Sequence, residues 1–252
     1  MNENEIKKYF TGRELDLEAQ NYLNFHAQRY EILLGKLKEI KSLKPKAILE
    51  ILDIGPSFFT ELLIVNFKND SISALGFSVE DKYRGGHLPA SINLGNLKKF
   101  YEFDLNQSAD GKIQEATKFD IMVLAEVLEH LQISPEAVLF FLKELLAENG
   151  YLIIQTPNAV AIDKRVAMLR GINPFEKIRQ DSFNPGHFRE YTPKELLGDV
   201  KQVGFSVIEL DYYNNPAPKP ESLAGKFLDI FLKASKKVFP GLGDGMTLVC
   251  RK

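Results

Sequence analysis

Three ionisable residues, Glu126, Glu129 and His130, follow a predicted buried strand at residues 119–124. Packing alone does not explain so many polar groups directly after a strand, because buried polar groups need partners. The two carboxylates could contact a charged amino-acid moiety or a substrate. A neutral imidazole accepts a proton near pH 7, so His130 is a candidate catalytic base. The spacing does not match the H-E-x-x-H motif of zinc sites, and we expect no metal site.

A second candidate base, His187, lies in a loop at residues 184–191 that contains proline and glycine. This loop could form a wall of a substrate pocket. A loop histidine bonded to the backbone is an equally good interpretation. In the same loop, Arg189 and Tyr191 could bind an anionic or sugar substrate, or they could form a surface ion pair and a packed aromatic contact.

The turn after the first predicted strand, from Asp53 to Ser57, is a candidate ligand-binding loop. Gly55 would let the chain turn sharply and bring the backbone close to a ligand. The N–H groups of a helix that begins near Ser57 could hold a carboxylate. The two further glycines of the G-x-G-x-x-G motif are missing, which disfavours a nucleotide-dependent oxidoreductase. The alternative is a tight strand-to-helix turn without a ligand.

Acidic residues also follow the second and third predicted strands. Glu80 could hydrogen-bond ribose hydroxyls, although Ser78 stands where an acid would be expected and a solvated loop carboxylate is an equally good interpretation. Asp104 and the backbone of Leu105 could meet the edge of an adenine ring. After the fifth predicted strand, Asn158 either belongs to the site or stabilises a turn.

The elements that would position these residues alternate between strands and helices. Short apolar runs predict strands at 47–54, 71–77, 100–103, 119–124, 151–155, 205–211 and 246–251. Capping signals and apolar spacing predict helices at 134–147 and 194–203. This alternation predicts an α/β fold with a doubly wound sheet, in which ligands bind beyond the carboxyl ends of the strands.

Two further helical segments flank this pattern. Residues 1–44 predict a helical extension that packs on the main domain at 45–252, with a lid over the site as the alternative. Residues 222–239 predict a basic amphipathic helix, within an insertion at about 221–239. Such a helix can lie on a membrane surface, but we favour one whose apolar side faces the core.

Composition narrows the class of protein. The chain has 252 residues with a net charge of −2, which gives no reason to expect a nucleic-acid partner. A single cysteine excludes an internal disulfide and makes a cysteine-built metal site unexpected. Neither a secretory signal nor a run of about 20 apolar residues is visible, so we expect a soluble, cytoplasmic protein.

Three segments carry a resemblance to the class I S-adenosylmethionine-dependent methyltransferases. They are FDIMVLAEVLEHL (119–131), LLAENGYLIIQTPN (145–158) and GHFREYTPKELLGDVKQVGFSVIEL (186–210), and the resemblance extends over about residues 46–212. It implies a Rossmann-like, mostly parallel seven-stranded sheet with an antiparallel last strand. It also implies S-adenosylmethionine as the cofactor, with contacts carried over to Asp53, Gly55, Ser57, Glu80, Asp104, Leu105 and Glu126.

The sequence departs from the family pattern at two places, and it also resembles a subgroup of the family. The first loop offers only Gly55 and the second-strand acid is displaced, so a degenerate binding or scaffold protein is the alternative to an enzyme. The segments at 156–158, 170–175 and 187–193 look similar to methyltransferases of bacterial cell-surface polysaccharides. Small-molecule and quinone-type O-methyltransferases share parts of this pattern. The resemblance thus implies O-methylation of a small molecule or saccharide, with His187 and His130 as candidate bases.

Overall fold

The computed structural model describes residues 1–13, 15–44, 47–77, 92–113, 117–180, 186–216 and 221–252. Its strands are β1 (Glu50–Ile54), β2 (Ser71–Gly76), β3 (Lys99–Glu102), β4 (Phe119–Ala125), β5 (Leu146–Pro157), β6 (Ser206–Tyr213) and β7 (Gly245–Arg251). Its helices are α1 (Glu3–Phe10), α2 (Leu17–Ser42), α3 (Phe58–Asn66), α4 (Pro135–Leu145), α5 (Ile162–Leu169), α6 (Pro193–Gln202) and α7 (Leu223–Val238).

The seven strands form one sheet in the order β3-β2-β1-β4-β5-β7-β6. The pairs from β3 to β5 are all parallel, whereas β7 runs antiparallel to both β5 and β6. The mostly parallel seven-stranded sheet with an antiparallel last strand is therefore confirmed. The strand order reverses beside β1, so the carboxyl ends of β1 and β4 border the crevice where ligands bind in such sheets.

A hydrophobic core lies on each side of the sheet, because the central strands are apolar on both faces. One core joins strand residues to α4 and α6, and the other joins them to α1, α2 and α3. In α2, Leu33, Leu34 and Leu37 are fully buried in the second core. The N-terminal helices thus pack on the sheet, as the preferred interpretation predicted. The division of the chain into 1–44 and 45–252 stays a prediction.

Several element ends differ from the predicted ones. The first strand begins at Glu50 rather than residue 47. The helix predicted at 134–147 ends at Leu145, because Leu146 already pairs with Phe119 in the sheet. Helix α5 was not predicted. Ala161 at its N-cap makes no side-chain capping hydrogen bond, so the usual sequence signal of a helix start is missing.

The apolar side of α7 does not face the core, and the prediction that it would is wrong. None of the helix residues is buried, and Leu223, Phe227 and Ile230 are each exposed by more than 60%. The helix contacts α5 and the short 3-10 helix Pro240–Leu242. In the parts of the chain that the structure describes, no helix is both long and apolar enough to cross a membrane.

Candidate functional site

The loops after β1 and β4 touch each other at the carboxyl edge of the sheet. Gly55 has a φ of +76°, a left-handed conformation that favours glycine, and its N–H donates to the carbonyl of Leu75 at 2.9 Å. A Cβ atom at this position would lie 2.6 Å from Cγ2 of Val127. The glycine is therefore required both by its conformation and by the closeness of the β4 loop.

Asp53 and Ser57 organise the first turn of α3. The buried carboxylate of Asp53 accepts a hydrogen bond from Oγ1 of Thr60 at 2.6 Å. Burial raises the pKa of Asp53 to about 7, against the effect of that hydrogen bond. Ser57 is the N-cap, and its hydroxyl accepts from the N–H of Phe59 at 3.2 Å. Both side chains thus support the backbone of the loop that carries Gly55.

Glu126 stands directly after β4 with a φ of 54°, which a residue other than glycine rarely adopts. Its N–H donates to the carbonyl of Gln155 at 2.7 Å. Its Oε1 accepts a hydrogen bond from the hydroxyl of Tyr213 at 2.9 Å. Such conformations cost about 1–3 kcal/mol and persist where the surroundings hold them, often at functional sites.

Arg29, on α2, faces this glutamate. Its Nη1 lies 3.3 Å from Oε1 of Glu126, and the side chain is almost fully buried. Within the described residues, Nε and Nη1 have no hydrogen-bond partner. Buried guanidinium donors without partners are costly, and a carboxylate group of a ligand would satisfy them. Arg29 was not predicted as a site residue, although a charged residue in the i+4 spacing from Phe25 to Leu33 was a usable signal.

The two histidines predicted as bases come together beside Glu129. The ring centroids of His130 and His187 are 4.8 Å apart, with an angle of 79° between the planes. The carbonyl of Glu129 accepts the N–H of Phe188 at 2.8 Å, which ties the segment after β4 to the loop of His187. Residues far apart in sequence therefore form one cluster.

Each histidine ring is oriented by a hydrogen bond at Nδ1. For His130 the partner is the carbonyl of Gly186 at 3.0 Å, and for His187 it is Oε1 of Glu190 at 3.2 Å. Burial lowers the pKa of His187, but the hydrogen bond to Glu190 and the nearby carboxylate of Glu129 outweigh it, and the net pKa is raised. His187 is therefore anchored by a side chain rather than by the backbone.

Other predicted residues have structural partners. Asp104 caps the short 3-10 helix Leu105–Gln107, where Leu105 is buried in the core. Asn158 donates to the carbonyls of Gly241 and Gly243 at 3.0 and 2.9 Å, so it stabilises a turn. Glu80 lies outside the described residues.

The side chains of Arg189 and Tyr191 form a surface ion pair and a packed aromatic contact, which was the alternative to substrate binding. Arg189 forms an exposed ion pair with Glu195 at 2.7 Å. Tyr191 is buried in the core. The hypothesis that they bind an anionic or sugar substrate has no support from these contacts.

Known proteins are similar to this chain in sequence or in fold. A ubiquinone biosynthesis O-methyltransferase from Glaesserella parasuis serovar 5 (strain SH0165) is 32% identical over 108 residues, which are 42% of this chain and 44% of that protein. The chain thus matches less than half the length of this relative. The structure of magnesium protoporphyrin IX methyltransferase from Synechocystis PCC 6803 with bound S-adenosylhomocysteine has a TM-score of 0.56 and 12% identity. The match covers 98% of this chain and 92% of the Synechocystis chain.

A second solved structure is the N-methyltransferase NodS from Bradyrhizobium japonicum WM9 in complex with S-adenosylhomocysteine. It has a TM-score of 0.50 and 14% identity, and the match covers 100% of this chain and 99% of that one. At these identities the likeness shows the fold.

The fold and the residues at its carboxyl edge define the class of protein as a methyltransferase that uses S-adenosylmethionine. Residues 50–210, more than half of the chain, match the family described as Methyltransferase domain, and the chain belongs to that family. S-adenosylmethionine is its cofactor. The charged groups at the site suit the zwitterionic end of that molecule, because Arg29 nitrogens without a hydrogen-bond partner in the described part of the chain adjoin the Glu126 carboxylate.

Proposed function

We propose that this methyltransferase acts on a hydroxyl oxygen of a small molecule or a saccharide. The observation that carries the proposal is the cluster of Glu129, His130 and His187. Glu129 and His130 follow β4 three and four residues after the candidate cofactor residue Glu126, and His187 joins them from a separate loop. Two imidazoles and a buried carboxylate are groups that can bind a hydroxyl and assist the loss of its proton. His130 and His187 are the catalytic residues of this proposal.

The candidate cofactor-binding residues fall into two groups, one for the methionine end of S-adenosylmethionine and one for its adenosine end. Glu126 would hold the ammonium group of the methionine portion, and Arg29 would hold its carboxylate. Gly55, in the loop that Asp53 and Ser57 support, would bring the backbone close to the same portion. Asp104, the backbone of Leu105 and Glu80 are proposed for the adenosine portion.

The chemistry of the step requires little covalent work from the protein. S-adenosylmethionine supplies a methyl group on a positively charged sulfur, which is already a good donor. The chain has to align the acceptor oxygen with that methyl carbon and exclude water. In this account, helix α2 covers the cofactor end of the site through Arg29, and the loop of His187 forms the wall on the acceptor side.

Cofactor binding tests the residue assignment. Isothermal titration calorimetry of the purified protein with S-adenosylhomocysteine should show binding, and Glu126→Gln should weaken it by about 10-fold or more because a charged hydrogen bond is lost. Glu148→Gln is the matched control, since Glu148 is 86% exposed near the amino end of β5, at the opposite edge of the sheet. If neither cofactor nor product binds the folded protein, the scaffold alternative replaces the enzyme.

The position of the transferred methyl group tests the acceptor class. The protein is incubated with methyl-labelled S-adenosylmethionine and, separately, phenolic compounds, simple saccharides and primary amines. Nuclear magnetic resonance of the labelled carbon distinguishes a methyl ether from a methylamine. We expect methyl ethers that disappear in His187→Gln without loss of cofactor binding. Labelled amines alone would contradict the proposal.

We also propose that α7 rests on a negatively charged membrane surface. Its apolar residues Leu223, Phe227, Ile230, Phe231 and Val238 are all exposed, and the same helix carries four lysines with only one acidic residue, Asp229. Lys233 pairs with Asp229, and the mostly buried Lys236 pairs with Asp163 and Asp244. The exposed Lys226 and Lys237 are therefore the lysines proposed to face the lipid. Apolar side chains enter the boundary of the acyl chains, and lysines attract anionic headgroups. The charge of the helix argues for anionic lipid as the occupant of this face.

The position of α7 relates this face to the site. The helix lies between the end of β6 and the start of β7, which belong to the carboxyl edge of the parallel strands. Helix α5, which follows β5 at that edge, contacts α7 and exposes Met168 and Leu169. An acceptor that partitions into the bilayer surface would therefore approach the site from the adjacent membrane.

Liposome co-sedimentation tests this contact. Vesicles of phosphatidylglycerol should sediment the protein and vesicles of phosphatidylcholine should not. Phe227→Glu combined with Ile230→Glu should abolish sedimentation. Ile208→Glu is the control, because Ile208 is 55% exposed on β6. Equal binding of both lipids by all variants, or a stable dimer broken by the α7 variant instead, would contradict the proposal.

The cytoplasmic location stays a prediction that cell fractionation checks.

A further inference from the structure

The cluster after β4 has the composition of a metal site. One ligand atom from each of Glu129, His130 and His187 lies within 4.8 Å of the other two. Glu129 comes from the segment that follows β4 and is completely buried, while His187 lies 57 residues beyond His130 in a separate loop. Two imidazoles and one carboxylate, which occupy three coordination positions of the metal, form a recurrent site for divalent transition-metal ions.

Glu129 has an oxygen that the protein leaves unsatisfied. Its Oε2 accepts a hydrogen bond from the hydroxyl of Thr156 at 3.0 Å. Its Oε1 is buried and, within the described ranges, has no hydrogen-bond partner. A buried carboxylate oxygen without a partner is costly, and a bound cation would compensate that cost. This oxygen is an observation independent of the grouping of the three residues.

The histidine rings are held as metal ligands usually are. A carbonyl oxygen can only accept a hydrogen bond, so Nδ1 of His130 carries the proton that it shares with Gly186, and Nε2 keeps its lone pair. The carboxylate of Glu190 fixes Nδ1 of His187 in the same way, and Lys164 binds Glu190 in turn. Carboxylates and carbonyls at the far nitrogen typically orient histidine ligands.

We propose that Glu129, His130 and His187 bind one divalent transition-metal cation, with Zn²⁺ as the preferred probe. Two nitrogen ligands favour Zn²⁺ over Mg²⁺, which takes oxygen ligands in octahedral geometry. The inference departs from the expectation of no metal site. That expectation rested on histidine spacing within one helix, whereas the second histidine here is supplied by the loop after residue 186.

The inference deepens the proposed function and rests on it for its role in catalysis. A hydroxyl that binds at the open position loses its proton more readily, because the cation stabilises the oxyanion. The O–H bond breaks and its proton goes to solvent. The oxygen then uses its lone pair to form the bond to the methyl carbon, while the electrons of the carbon–sulfur bond stay on sulfur. His130 and His187 act as ligands in this step rather than as bases.

Metal binding is tested without turnover. The purified full chain is stripped with a chelator, dialysed and titrated calorimetrically with Zn²⁺ and, in a parallel arm, with Mg²⁺. We expect one Zn²⁺ site and at least about 100-fold weaker Mg²⁺ binding. Glu129→Gln and His187→Gln should each lower the affinity for Zn²⁺ by more than about 10-fold. Replacing a residue that only orients a ligand already lowers metal affinity by about 10-fold, and loss of a ligand should cost more. Glu195→Gln, a carboxylate paired with Arg189 on the surface, is the control.

Glu129 is fully buried, and its variant could fail to fold. In that case the variant of the half-buried His187 still tests whether the cluster binds Zn²⁺. Absence of Zn²⁺ binding to the wild-type protein, or binding that both variants retain, would overturn the inference. The proposed function fails separately, through lost cofactor binding. Zn²⁺ binding without cofactor binding leaves the metal site in place, and cofactor binding without Zn²⁺ binding leaves only the methyltransferase assignment.

Discussion

Individual residues at the carboxyl edge show how far residue types predict a site. Glu126, Glu129 and His130 were singled out because three ionisable residues follow a buried strand, and the structure places all of them at one edge with distinct partners. Their partners Arg29 and His187 come from other elements. No local spacing could predict which distant side chain would face each carboxylate, because that depends on tertiary packing.

Gly55 has two separate reasons to be glycine, and substitution separates them. We expect Gly55→Ala to destabilise the protein by about 1–3 kcal/mol, because its φ is +76° and the new Cβ would press on Val127. Gly171→Ala is a matched control with a φ of +74° and open space around it. Urea denaturation of both variants measures the difference. Equal losses would mean that the contact with Val127 contributes nothing.

Asp53 should make stability depend on pH. Its pKa is raised from 3.8 to about 7 in the folded state, so between these values the folded protein keeps a proton that the unfolded chain has lost. The free energy of unfolding therefore falls as pH rises through that window, by at most about 1.4 kcal/mol per pH unit. Asp53→Asn should flatten this dependence in urea denaturation, and Asp110→Asn, on the surface, should not. An unchanged slope in Asp53→Asn would contradict the assignment.

At the scale of elements, the periodicity of apolar residues predicted which segments form strands and helices, but not how every helix is oriented. The strands of the sheet were recovered because apolar runs and the edge turns are local signals. The orientation of α7 was wrong, since an amphipathic pattern shows that a helix has an apolar side but not what covers it. Helix α2 was expected to pack on the domain, and it does so while also delivering Arg29 to the site.

The dual role of α2 gives an element-scale prediction. Leu33 is fully buried on α2, and Leu33→Ala should cost about 2–5 kcal/mol of stability. Because the helix carries Arg29, affinity for S-adenosylhomocysteine should also fall, although Leu33 itself contacts no ligand in this account. Leu43→Ala, just after α2 and 67% exposed, is the control. Calorimetry and denaturation on the same samples check both effects. Unchanged affinity in a destabilised Leu33 variant would separate α2 from the site.

On the scale of the whole molecule, the order of strand-end motifs predicted the fold and the family better than any single motif. The glycine-poor first loop has one glycine, Gly55, at the point where the loops after β1 and β4 approach each other closely enough to exclude a Cβ atom. The acid expected after β2, Glu80, belongs to a stretch outside the described residues. The sequence predicted a class of acceptor but no particular molecule, because the loops proposed to contact it come from distant segments.

Ligand linkage distinguishes cofactor classes for the whole protein. At 100 times its dissociation constant, S-adenosylhomocysteine should add about 2.7 kcal/mol of stability. For a domain of this size that corresponds to an increase in melting temperature of about 5–10 °C. NAD should cause no shift, because the first loop lacks a dinucleotide motif. Differential scanning fluorimetry makes the comparison, and a shift with NAD alone would indicate an oxidoreductase.

The decisive measurement is a crystal structure of the protein grown with S-adenosylhomocysteine and Zn²⁺. We expect the methionine carboxylate on Arg29 and its ammonium group on Glu126. We also expect the sulfur to face the cluster of Glu129, His130 and His187, with the metal bound there. A ligand elsewhere on the protein, or one whose sulfur points away from the cluster, would refute this arrangement.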